Sequence, residues 1–186
     1  MNRRVIFPDP DIWTTSKEKT VTNEATPTDA GDYRRAAVLT LHHRQGNDAG
    51  LVAIVDETNA AGRAAHLVFA TLHLHEGFIS TLRTPDGIKL LADYVQGLAG
   101  YEASEPPEAD IRRAATIWNH YGQKNFPGIY EEMTLAVADG RVTEVFIRLM
   151  ELFEETLPEL TSAAGIRWIQ DHITALANEE VRDGDA

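Results

Sequence analysis

His73 and Glu76, in the stretch HLHEG, stand three residues apart. On a helix both side chains would leave the same face. An imidazole and a carboxylate so placed could supply half the ligands of a metal ion. Carboxylate-bridged two-metal bundles use the reverse order, Glu-x-x-His. Glu151 and Glu154 occupy the same two places 78 residues further on. The four would make a ligand set only if the helices carrying them faced each other. His75 aligns with Phe153 at that offset, which marks it as a core residue and a poor ligand. His42, His120, Glu76 and Glu154 would suit acid–base catalysis if they lined one cavity. The chain has no His-Glu-x-x-His, Gly-x-Ser-x-Gly, Walker lysine motif or Gly-x-Gly-x-x-Gly, and no cysteine. No cofactor is implied.

The recurrence of these residues is part of a longer one. DYRRAAVLTLHHRQGNDAG from Asp32 returns as DIRRAATIWNHYGQKNFPG from Asp110. With the offset held at 78 and no gap, 21 of the 71 pairs from Asp32 to Glu102 are identical. Such a match predicts a tandem duplication with a long period. The polar residues that persist include Arg34/Arg112, Arg35/Arg113, His42/His120, Gln45/Gln123, Arg63/Arg141, Glu76/Glu154 and Asp93/Asp171. Helix caps, turns and ion pairs account for such persistence without any catalysis. A pair between the first and fourth helices, such as Arg35 with Asp93, is one example.

Each span reads as four helices, with no alternating strand. Asp32 and Asp110 are expected as caps of the first helix, and Asn47 and Asn125 as caps of the second. Gly62 and Gly140 should end the second helix in a left-handed turn. The third helix, about 63–81 and 141–158, is apolar nearly all round and should be central. Thr84 and Ser162 should cap the fourth. Its stripes, Ile88, Leu91, Val95, Leu98 and Ile166, Ile169, Ile173, Leu176, keep one spacing and predict one buried face. The expected fold is all-α, about eight helices in two pseudo-twofold-packed units. The boundaries are an irregular arm 1–30, repeats 31–103 and 104–181, and an acidic tail 182–186.

The net charge is −12, and it is uneven. Residues 29–103 hold 9 acids and 6 bases; residues 104–181 hold 14 and 6. This surface repels nucleic acid and anionic lipid at long range. The absence of a long apolar run or a signal-like start predicts a cytoplasmic chain with no membrane partner. The Ala-, Arg- and Asp-rich usage has the style of a high-GC bacterium or its phage. By elimination the expected function is a non-catalytic protein-interaction or regulatory module. Its partner would be another protein with a basic patch, or a second copy of the chain. Glu151, Glu154, Glu155 and Glu159 are the candidate acidic contacts, with Phe7 and Trp13 of the arm as candidate apolar ones. Trp118 and Trp168 read as core. The alternatives are an enzyme with a metal or acid–base site between the repeats, and an acidic mimic of DNA.

Overall fold

A computed structural model describes residues 28–184, with side chains through 182. Among them it contains eight α-helices, one 3-10 turn and no strand. In chain order the helices are α1 Ala30–Arg44, α2 Asp48–Ala60, α3 Ala64–Leu82 and α4 Pro85–Ala99, followed by α5 Glu108–Gly122, α6 Phe126–Ala138, α7 Val142–Thr156 and α8 Ala163–Gly184. The 3-10 turn, Pro158–Thr161, precedes α8. Phe7 and Trp13 lie outside the described residues.

Local chemistry sets most of the boundaries. The Gly50 N–H donates to Asn47 Oδ1 at 3.0 Å, and the Gly128 N–H to Asn125 Oδ1 at 3.2 Å. Thr84 and Ser162 accept from Gly87 and Gly165 in the same manner. Gly62 and Gly140 both take φ 65°, a left-handed turn that only a residue without Cβ adopts at little cost. Asp32 is not the cap of α1. Asp29 is, and Asp32 completes a reciprocal capping box with it, at 2.8 and 3.1 Å. Asp110 likewise lies inside α5, whose start has no side-chain cap. Both aspartates are buried, and each meets an arginine that follows the second helix.

The described residues form two compact units, 28–75 with 157–184, and 76–156. In the first unit α1 packs against α2 and α8, and the 3-10 turn packs on α8. Its core includes Leu67, Val68, Leu72, His75, Leu157, Leu160 and Ile169. Arg34 ties α1 to both neighbours, reaching Glu57 at 2.7 Å and Glu180 at 2.6 Å. In the second unit α5 packs against α4, α6 and α7. Ile117, Ile129, Met133, Leu149, Met150 and Phe153 fill its centre. Each such buried side chain contributes about 1.5–3 kcal/mol relative to exposure.

The fourth helix that packs on α1 is therefore α8, and the fourth helix that packs on α5 is α4. The compact units thus differ from the spans 31–103 and 104–181, because each span contributes its last helix to the other's unit. Arg35 pairs with Asp32 and Glu57, both in its own unit, rather than with Asp93. The expected link between a first and a fourth helix exists instead as Arg34 with Glu180. The fourth-helix stripes keep their predicted spacing but not their predicted depth: only Val95 and Ile169 among those eight residues are buried.

Candidate functional site

Many of the persistent polar residues hold helices together. Arg63 donates to Asp32 and Asp29, and Arg35 to Asp32 at 2.7 Å. In the second unit Arg141 donates to Asp110, and Arg113 to Asp139 at 2.8 Å. Burial would raise the Asp32 carboxyl, but the hydrogen bonds from Arg63, Arg35 and the Asp29 backbone outweigh it and hold it at about 2. His42 Nδ1 accepts from the Asn47 side-chain amide at 3.0 Å, and His120 Nδ1 from Asn125 at 3.0 Å. Each imidazole thus steadies the residue that caps the next helix. The price of that contact is a glycine: a Cβ at Gly50 would sit 2.5 Å from the His42 ring, and one at Gly128 would sit 2.7 Å from His120. Asp93 and Asp171 are exposed on α4 and α8.

The metal candidates are occupied otherwise. The His73 ring meets Tyr33 edge-on, centroids 5.5 Å apart. Glu76 pairs with Lys124 at 3.0 Å, and Glu151 with Arg148. Glu154 is half-buried on α7. Among the described residues no group of three or more His, Asp or Glu side chains is placed to hold a metal ion. Of the acidic contact candidates, Glu155 is exposed and accepts from the Tyr94 hydroxyl at 3.4 Å. Glu159 is half-buried, in the 3-10 turn of the first unit. His75 is fully buried, as its alignment with Phe153 predicts. Its Nδ1–H donates to the Thr71 carbonyl at 2.8 Å, and burial above all pushes its pKa down to about 3.

Sequence reasoning missed a groove in the second unit. A groove of about 410 Å³ runs between the end of α3, α4 and the C-terminal turn of α5. Ile79, Leu91, Val95 and Trp118 form its apolar floor, and Glu76, Gln96, Asn119 and Gln123 its polar rim. Trp118 is held from behind by Phe153, centroids 4.6 Å apart. Lys124 sits at φ 56°, and its ammonium reaches both Glu76 and the face of Tyr121, 4.7 Å from the ring centre.

The corresponding place in the first unit is built differently. Arg44 aligns with Gly122, and Thr40 with Trp118. Arg44 is only 7% exposed. Its Nη1 donates to the Leu157 carbonyl and to Thr161 Oγ1, both at 3.0 Å. At Gly122 an added Cβ would meet nothing within 4 Å. The signal was in the sequence, as one long side chain exchanged for hydrogen between the persistent His42/His120 and Gln45/Gln123. No described helix is long and apolar enough to cross a membrane. No protein-family model, curated protein or solved structure matches this chain.

Proposed function

We propose that the chain is a non-catalytic protein-interaction module whose partner docks on the second unit, along the outer side of α4. The observation that carries this reading is where large apolar side chains meet solvent. On α4, Leu90 is 69% exposed and Tyr94 45%, and Tyr101 just beyond it is 62% exposed. Of the large exposed apolar residues described, Val52 and Val181 alone lie in the first unit. Single exposed apolar residues are ordinary, but a concentration on one unit marks an interaction surface; α6 also exposes Phe126, Tyr130 and Leu135, but the most exposed of these side chains, Leu90, is on α4. Residues 76–156 also hold 14 acids against 7 bases, and Glu155 stands beside Tyr94. An apolar band with acidic flanks suits an amphipathic helix edged by Lys and Arg. Charge would act there mainly on association rate and specificity.

In this reading the chain is a tandem duplication with pseudo-twofold packing. The recurrence of caps, left-handed turns and Asp–Arg pairs at one offset supports it, as does the reciprocal contribution of α4 and α8. One unit kept its surface polar while the other was opened for contact. The test is affinity capture from the native host with the wild type and with Leu90→Asp/Tyr94→Ser. A partner held by the wild type should be lost by the double variant and kept by Val52→Ser/Val181→Ser. Raising salt from about 50 to 300 mM should also weaken capture, because the screening length falls below about 10 Å. Equal capture by a folded double variant would rule out α4 as the docking surface.

A further inference from the structure

We infer that the groove between α3, α4 and α5 binds a neutral, largely apolar small molecule. The site is independent of the partner surface above, since Leu90 and Tyr94 do not line it. Its volume, about 410 Å³, lies in the ordinary range of small-molecule pockets. The same is true of its make-up, an aliphatic floor with one aromatic wall and a few polar groups at the edge. The charge of the ligand follows from the rim. Among the described residues Glu76 is the one carboxylate on the lining, and Lys124 at 3.0 Å balances it. The other rim groups are the carboxamides of Gln96, Asn119 and Gln123, which both donate and accept. A carboxylate or an ammonium on the ligand would have to break that ion pair or be desolvated without a partner. A hydroxyl, amide or ketone would find one at once.

The comparison of the two units shows what keeps the groove open. Where the first unit buries the guanidinium of Arg44 on the Leu157 carbonyl, the second has Gly122 and no side chain. Gly122 needs no special backbone angle and makes no close approach, so neither geometry nor packing demands it. The open groove is what it provides.

The test uses the full chain and N-phenyl-1-naphthylamine, an uncharged probe that brightens in apolar surroundings. The wild type should bind it saturably at one site, with energy transfer from tryptophan that Trp118→Phe diminishes. Gly122→Arg restores the side chain of the first unit and should weaken binding by about tenfold or more, because it takes the ligand's place against the apolar floor. Ala92→Phe, on the facing wall, should do the same. Gly97→Arg adds the same charge on α4 outside the lining and should bind as the wild type does. 1-Octanol should displace the probe at lower concentration than octanoate or octylammonium. The inference is overturned if the wild type shows no saturable binding, if the folded groove variants bind as the wild type does, or if a charged competitor is preferred.

Discussion

His75 makes the stability of the first unit sensitive to mild acid. In the unfolded chain its imidazole titrates near 6.5; in the folded chain burial, foremost, brings it to about 3 against the opposing hydrogen bond to Thr71, with Arg44 and His43 adding repulsion. Between those values the unfolded chain binds one more proton than the folded one, so stability rises with pH across the window and falls as the solution is acidified. Taking the chain from about pH 8 to pH 5 should cost roughly 2 kcal/mol at this one residue. His75→Phe removes the titration and installs the side chain that occupies the aligned position 153, where it is fully buried. The carbonyl of Thr71 keeps its helical partner, so little is lost besides the imidazole. Urea denaturation followed by circular dichroism at both pH values, for wild type and variant, isolates the effect, since exposed groups cancel in the difference. The wild type should lose about 2 kcal/mol more than the variant on acidification. Equal losses would show that the imidazole is hydrated or charged in the folded chain, and the reasoning from its burial would fail.

Other substitutions test other contacts. A Cβ at Gly165 would lie 2.4 Å from the backbone of Leu160, whereas at Gly87 the nearest atom is at 3.4 Å; thermal melts should therefore show Gly165→Ala strongly destabilised and Gly87→Ala nearly neutral. Gly50→Ala should cost about 1–3 kcal/mol by overpacking against His42, and His42→Ala in the same chain should recover part of it in chemical denaturation. Phe153→Ala, at a fully buried site, should cost about 3–5 kcal/mol, and Phe69→Ala, half-buried, clearly less. Asp32 titrates at about 2 when folded against 3.8 unfolded, so its contribution is complete above about pH 4 and drains away as pH falls through 2; Asp32→Asn should flatten the acid end of the stability curve.

The parts of the fold legible from the sequence were those governed by neighbours along the chain. Asn47, Asn125, Thr84 and Ser162 cap helices because a side-chain oxygen needs only the N–H three residues on. Gly62 and Gly140 turn because a left-handed residue is least costly without a Cβ. Asp32 was misread because burial against Arg63, 31 residues away, does not show in local spacing, and Asp29 had no counterpart to single it out. The pairing of α1 with α8 was equally hidden: both fourth helices carry the same apolar stripe, and periodicity cannot say which partner each will find. The groove lay in the comparison of Arg44 with Gly122, which gains meaning only once Arg44 is seen to be buried. His73, Glu76, Glu151 and Glu154 had suitable types and spacing for a metal. Tyr33, Lys124 and Arg148 show that aromatic contact and ion pairing used three of the four.

The reciprocal placement of α4 and α8 also sets an order of assembly on the ribosome. The described residues of the second unit are 76–156, so that unit can close while synthesis continues. The first unit draws on residues 157–184 as well. Until Ala163–Gly184 has emerged, the face of α1 that α8 covers stays open, and Arg34 has no Glu180. During that interval the nascent chain carries a finished half and an open one, with apolar surface available to chaperones or to another nascent copy. Ribosome-associated chaperones should engage the first unit late and release it only as its last helix arrives.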